Sequence, residues 1–524
     1  MPRAEYVLDV PYPRSFVHQS SPPMLRLVAA LNGQRPSSPA ASDTGFTYCD
    51  LGCGTADTLL TFAAANPRGR FHGVDFNPQQ IATARVRAQK AELGNVELLE
   101  CDFTALLEQD LPPLDFLVAH GIWTWVSAEK RAAILAFARR RLKSGGLFYV
   151  SYDALPAWAA LEPLRRLMLE HTRHLEGSTL ERARAGYELM KRLADGEAGY
   201  FRAHPTARSM LSLMEKAGLP YVAHEYFHEH WEPMYVADVA RSLGRSGLSY
   251  VGQVPLHLNL PELAFPPKLK EHARTLADRL DLEMLKDYAL NEPFRADVYI
   301  HGDAPGLAEV RSAFFADTTF ALVTPLPLVK REVPLTPYTL DLTGAVYDGI
   351  LEQLERAPSS AATLAARTEL ATLGVTRIAD ALQNLALGEQ VMPSCADALT
   401  ANRSSLTGVR GAVQEPTLTL SFNRVELEDA IAGARAAVVA VPALGHGVSL
   451  SPLDALCLYV WTSVPVERRK SWLRSFAHRS TLPLKVGGKL VSETEERTRL
   501  MVREVERFAA QWRTMLTSSR VIAV

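Results

Sequence analysis

Three aspartates and a histidine, each closing a short apolar run, carry the chemistry legible in this chain. Asp50 ends the run Phe46-Thr47-Tyr48-Cys49 and opens the turn Leu51-Gly52-Cys53-Gly54-Thr55-Ala56. Gly52 and Gly54 allow backbone N–H groups to approach a ligand closely, and the amphipathic segment from Asp57 to Ala65 sets a helix N-terminus behind them. Asp75 closes a second run, Arg70 to Val74, about 20 residues beyond the turn, where an acid suits a bidentate hold on ribose hydroxyls. Asp102-Phe103 follows a third run, Val96 to Glu100, and His120 follows a fourth, Leu114 to Ala119. Phe76 and Phe103 offer two faces between which a nucleobase can stack. The glycine pattern by itself is weak, since the third glycine of the dinucleotide fingerprint is Ala56 here.

Four strands with polar residues at one edge require a doubly wound α/β sheet whose cleft lies at the carboxyl ends. Helical periodicity from Pro78 to Leu93 stops at Gly94-Asn95, and from Ala128 to Leu142 it stops at Ser144-Gly145-Gly146. Leu147 to Tyr152 reads as a fifth strand, and Leu248 to Val254 and Asp297 to His301 as the sixth and seventh. Residues 1–45 are expected to form an N-terminal lid, 46–155 the cofactor core, 156–230 a helical insertion and 231–302 the completion of the domain. Beyond them the chain reads as mainly α. Helices from Leu340 to Arg356, Ala361 to Ala366 and Arg377 to Leu387, then a strand from Gln390 to Pro393, give 303–395 a winged-helix-like order. Helices are expected from Arg424 to Val439 and Glu493 to Leu516 within a C-terminal domain over 396–524.

The 524 residues suffice for two to four domains. A net charge of −2 gives no global attraction to nucleic acid or anionic membrane, and the winged-helix-like order lacks a basic recognition face. Five cysteines without paired spacing argue against a disulfide framework. No apolar run is long enough to span a bilayer, and the N-terminus has no signal-peptide core, so the cytoplasm is the expected compartment.

The aspartates and glycines together resemble class I S-adenosylmethionine (SAM) methyltransferases. A dinucleotide-binding dehydrogenase shares only the first two signals and explains neither Cys101-Asp102-Phe103 nor Ala56. The resemblance implies that Asp50, Gly52 and Gly54 wrap the methionine part of SAM, that Asp75 binds its ribose and Asp102 its adenine amino group. Further motifs narrow it: Tyr12-Pro13 with His18-Gln19, the stretch Ala119-His120-Gly121-Ile122-Trp123-Thr124-Trp125-Val126, Ser151-Tyr152-Asp153-Ala154-Leu155-Pro156-Ala157-Trp158, and Ala223-His224-Glu225-Tyr226-Phe227. These look like bacterial methyltransferases carrying a methyltransferase regulatory domain, among them protein-lysine methyltransferases of outer-membrane proteins. That implies Tyr12 and Gln19 at the carboxylate or amine of SAM. The chain departs from the family at Asp153 and Ala157, where Asn and Gly are usual.

Methyl transfer to nitrogen needs an aligned nucleophile, a dry pocket and a deprotonated amine. Trp123, Tyr152, Trp125 and Trp158 lie at or just past the ends of the fourth and fifth strands, so the acceptor pocket is expected there, chiefly from Trp123 and Tyr152. His120 is placed to bind the methionine end of SAM, orient the acceptor or accept its proton. His224-Glu225-Tyr226-Phe227-His228 matches the H-E-x-x-H zinc pattern, but Pro220 and Pro233 close by argue against a long active-site helix, and no metal is expected. The expected activity is SAM-dependent methylation of a protein or peptide lysine. A small molecule or peptide natural product is the alternative acceptor, and a SAM-binding scaffold without turnover the third reading. The helical insertions are compatible with a homodimer.

Overall fold

The computed structural model describes residues 7, 9–10, 14–37, 45–302, 306–367, 369–394 and 415–524. Its centre is one seven-stranded sheet, built from β1 (Thr47–Leu51), β2 (Arg70–Asp75), β3 (Val96–Glu100), β4 (Leu114–Ala119), β5 (Leu142–Asp153), β6 (Leu248–Val254) and β7 (Phe294–His301). Their spatial order is β3-β2-β1-β4-β5-β7-β6. The first five strands run parallel, and β7 inserts antiparallel to both β5 and β6. This is the class I methyltransferase sheet.

The order reverses at β1, so the cleft forms where β1 and β4 end side by side. Burial on both faces explains the near-continuous apolar strands: every residue of β1 and β4 is buried. Helices α1 (Pro22–Leu31), α2 (Asp57–Ala65), α3 (Pro78–Lys90) and α4 (Ala128–Arg141) surround the parallel half. Local chemistry sets their starts. Asn77 accepts the N–H groups of Gln79 and Gln80 ahead of Pro78, and Ser127 accepts that of Lys130. Each such cap is worth about 1 kcal/mol.

Residues 157–226 fold into helices around a separate apolar cluster that includes Trp158, Met168, Met190, Phe201 and Tyr226. Helices Val236–Gly244 and Arg279–Leu290 then lead into and out of β6 before β7 completes the sheet.

A fully buried ionic group ties this late part to β5. Arg295 donates to Asp297 and Glu283 at 2.9 Å, to Asp287 at 2.5 Å and to the Tyr250 hydroxyl at 2.9 Å. The Tyr152 hydroxyl donates to Asp297 at 2.5 Å. Burial pushes the Asp287 carboxyl up to about 7 and the Lys286 ammonium down to about 8. At Glu283 burial is outweighed by Lys286 and Arg295, which pull that carboxyl down.

The C-terminal region is largely helical, as expected, with two differences from the sequence reading. Leu340 belongs to a hairpin, Glu332–Leu335 with Tyr338–Asp341, and the helix starts only at Ala345. The helix expected from Arg424 to Val439 ends at Ala432; Gly433 follows, and the β-branched run Ala437–Val441 forms a hairpin with His446–Leu450. That hairpin lies against α2: a Cβ at Gly447 would come within 2.5 Å of the Thr61 side chain, and Asn66 donates to the Gly445 carbonyl at 2.7 Å. No helix is long and apolar enough to cross a membrane among the described residues.

Candidate active site

A cavity of about 320 Å³ opens at the carboxyl ends of β1, β2 and β4. Its floor is the turn after β1. Gly52 and Gly54 have φ of +73° and +57°, and Ala56 follows at +57° as the residue before α2. The third position therefore still takes the left-handed conformation, at the small steric cost that alanine bears there. A Cβ at Gly52 would lie 2.6 Å from a methyl of Ile122, so the Ile122 side chain packs directly on the turn.

Two carboxylates face this floor. Asp75 accepts the Gly54 N–H through Oδ2 and the Asn77 N–H through Oδ1, both at 2.9 Å. Burial still raises its carboxyl, against those hydrogen bonds. Asp50 is buried without any side-chain hydrogen bond or ion pair among the described residues. Burial, then the neighbouring Asp75 charge, pushes it up to about 7. A buried, unpaired carboxylate is costly, which fits a site built to receive a cation.

Phe76 and Phe103 line the cavity with Asn77, Gln80, Thr55, Asp57 and Thr58. His120 lines it too. Its Nδ1 lies 2.9 Å from the Tyr149 hydroxyl and 3.1 Å from Ser151 Oγ, which also accepts the Gly121 N–H at 2.8 Å. Burial pushes the ring down to about 4, so it is neutral at ordinary pH. A neutral, tethered imidazole orients a partner better than it accepts a proton near pH 7.

The opposite wall comes from Trp125, Val126, Glu225, His224 and His228. The Trp125 indole N–H points at the Glu225 carbonyl at 3.5 Å. His224 Nε2 lies 2.9 Å from the Val10 carbonyl. Burial, with smaller contributions from His224 and Arg165, pushes His228 down to about 3. Behind this wall Asp153 accepts the Trp231 indole N–H at 3.1 Å, and burial followed by the Glu225 charge raises it to about 8.

The structure brings Asp50, Gly52, Gly54, Asp75, Phe76, Phe103 and His120 together, and leaves other expected residues elsewhere. Trp123 and Tyr152 are corrected: both are buried in the core on the other side of the sheet, Trp123 against Phe148 and Tyr152 on Asp297. Trp158 is buried beside Trp231 with its N–H on the Pro293 carbonyl at 2.7 Å. Asp102 does not line the cavity. Its carboxylate caps the following turn through Thr104 at 2.9 Å and pairs with Lys130 at 3.0 Å. Gln19 sits in the turn His18–Ser20 without lining the cavity, whereas Ser15, Val17 and Ser20 of the same segment do line it. Tyr12 lies outside the described residues.

The prolines around the zinc-like motif argue against its histidines, yet both reach the wall. Helix Leu219–Tyr226 does form, with Pro220 in its first turn where proline is tolerated, and ends between the two histidines. No group of three or more potential metal ligands occurs among the described residues. The cavity's other unforeseen member is the Arg14–Asp57–Arg87–Glu426 cluster beside it. Buried Glu426, from the helix Ser421–Ala432, accepts Arg14 at 3.0 Å, Arg87 at 3.3 Å and Arg435 at 2.8 Å, and Asp57 accepts Arg14 and Arg87 at 2.5 and 2.7 Å. No spacing in the sequence signals an ion pair between residues 412 positions apart.

Sheet order and the left-handed turn after β1 define the class I methyltransferase fold. Residues 42–192 match the methyltransferase domain family, and residues 219–301 match the family described as a predicted methyltransferase regulatory domain. An uncharacterized protein of Synechocystis is 28% identical over 453 residues, covering 86% of this chain and 87% of that protein. An uncharacterized protein of Rickettsia prowazekii is 28% identical over 222 residues, 42% of this chain and 86% of that protein. The structure of PKMT2 from Rickettsia typhi in complex with AdoHcy matches along 98% of this chain and 100% of that one, with a TM-score of 0.71 and 18% identity. The chain thus joins a SAM-dependent methyltransferase domain to a methyltransferase regulatory domain, with a largely helical region beyond.

Proposed function

We propose that this protein transfers the methyl group of SAM to a lysine side chain of a protein or peptide. The observation that carries the reading is that Trp125 and Glu225 line the same partly buried cavity as Asp50, with the Trp125 indole N–H 3.5 Å from the Glu225 carbonyl. An indole face and a carboxylate together favour a cationic amine, and burial lowers that amine's pKa toward the neutral form that attacks. The fold is shared with PKMT2, a protein-lysine methyltransferase, which is consistent with the same class of acceptor.

SAM, when bound, supplies a methyl group on a sulfonium. Asp75 holds the ribose hydroxyls, and its hydrogen bond to Gly54 fixes the turn for that contact. Asp50 offsets the positive charge of the methionine end. Phe76 and Phe103 flank the base, while Asp102 acts at the rim by holding the loop that presents Phe103. His120, neutral and tied to Tyr149 and Ser151, orients the methionine end or the acceptor. Trp125 and Glu225 align the amine for in-line attack and exclude water. The acceptor ammonium would pass its proton to solvent water before attack, since burial keeps His120 and His228 weakly basic.

Incubating the protein with methyl-tritiated SAM and fractionated lysate tests the reading. Base-stable label in protein that maps to lysine by mass spectrometry supports it. Label confined to small molecules would move the acceptor to a metabolite or peptide product.

A further inference from the structure

On the sheet face that receives Trp123, α4 and the helix Val236–Gly244 leave an open groove of about 840 Å³ between them. Its floor is apolar, built from Leu135, Leu155, Met234 and Val239. Its rim is cationic. Arg131 is taken by Glu232, and Asp238 by Arg241 at 3.1 Å. Arg139, Arg140 and Arg245 also line the groove, are exposed, and have no ionic or hydrogen-bond partner among the described residues. Three guanidiniums therefore face a groove whose two acids are already neutralised. Position near two helix C-termini accounts for basic residues there in general, since they complement the dipoles. It does not account for the part-exposed Leu155 and Met234 between them.

We infer that this groove docks an acidic, amphipathic segment of the protein substrate. The α4 stripe from Arg131 to Arg140 is roughly 14 Å long, which matches two to three turns of a helix laid along it. Apolar residues on one face would fill the floor, and Asp or Glu beside them would meet the three arginines. The aromatic lining is limited to buried Trp123 and half-buried Tyr235, too little for successive bases to stack, which disfavours single-stranded nucleic acid. The turn 122–126 links the groove to the cavity: Arg131 of the groove donates to the carbonyls of Trp123 and Val126, and Val126 lines the cavity. A substrate held in the groove would thus present a neighbouring lysine over the short turn 122–126.

The identity of the occupant rests on the protein-acceptor reading, but its test uses no methyl transfer, so the two fail separately. The probe is a fluorescein-labelled peptide of about sixteen residues with leucines on one helical face and glutamates on the flanks. Fluorescence anisotropy should show binding to the full chain that weakens at least tenfold in the triple variant Arg139→Glu, Arg140→Glu, Arg245→Glu. Because these side chains are exposed, the variant should stay folded, with only the small drop in melting temperature that reversed charge at two helix ends brings. Ala136→Trp, which fills the groove from α4 without changing charge, should weaken binding equally. Absence of binding, binding indifferent to both variants, or tighter binding of oligouridylate than of the peptide would each overturn the inference.

Discussion

Replacing Asp50 by asparagine isolates the cost of preparing the cleft for a cation. Asp50 is buried, has no side-chain partner among the described residues, and titrates near 7 through burial and the Asp75 charge. In the unfolded chain the group titrates near its ordinary value of 3.8. Between those limits the folded state holds a proton that the unfolded state has released. Asp50's contribution to stability is therefore fully present below about pH 4 and lost as pH rises through about 7. A difference of about three pKa units is worth about 4 kcal/mol at most. Asparagine mimics the protonated carboxyl and does not ionise. The Asp50→Asn variant should therefore match the wild type near pH 4 and be more stable by up to about 4 kcal/mol near pH 8, roughly 4 °C in melting temperature for a chain of this length. SAM affinity should move the other way: the wild type should bind more tightly as pH rises from about 6 to about 8, and the variant weakly at both. Differential scanning fluorimetry and titration calorimetry across that range give both quantities. Equal melting temperatures near pH 8, or wild-type affinity that ignores pH, would refute the reasoning.

The other predictions concern the remaining contacts. Asp75→Ala loses charged hydrogen bonds worth about 1.5–3 kcal/mol, so the dissociation constant for SAM should rise roughly 10- to 150-fold by calorimetry. Glu225→Gln and Trp125→Ala should each slow methyl transfer at least tenfold while leaving SAM affinity within about twofold, measured as kcat against Kd. Tyr152→Phe should instead lower stability by only about 1 kcal/mol, the worth of one hydrogen bond, because Arg295 still donates to the same Asp297 oxygen, and leave kcat near wild type, which thermal melts and initial rates separate. Glu426→Ala removes the anion shared by Arg14, Arg87 and Arg435. It should destabilise the protein by about 3 kcal/mol in chemical denaturation and weaken SAM binding several-fold, because Arg14 anchors the segment that carries Ser15, Val17 and Ser20 to the cavity.

The part of the cleft built on the turn after β1 was legible because its signal is local. Asp50, Gly52, Gly54 and Asp75 each owe their position to a strand end and the turn after it, and both are written in consecutive residues. The acceptor half depends on which face each residue takes. Side chains alternate along β5, so Tyr149 and Ser151 meet His120 while Phe148, Val150 and Tyr152 enter the opposite layer. A run of apolar residues buried on both faces gives no phase from which to read this. The turn after β4 has the same effect: the N–H groups of Trp125 and Val126 both bond to the Ile122 carbonyl, which sends Trp125 to the cavity and Trp123 to the core. His224, Glu225 and His228 were visible as a motif, but their placement comes from tertiary packing of the inserted helices. Asp102 was legible as a strand-end acid, yet Lys130 and Thr104 claim its carboxylate, and neither contact follows from the strand pattern.

The most direct test of the central claim, that the cavity at β1, β2 and β4 holds SAM, is titration calorimetry of SAM into the wild type and the Asp75→Ala variant near pH 8. The account predicts one site per chain in the wild type and at least tenfold weaker binding in the variant. Absence of binding to the wild type, or binding unchanged in the variant, would contradict it.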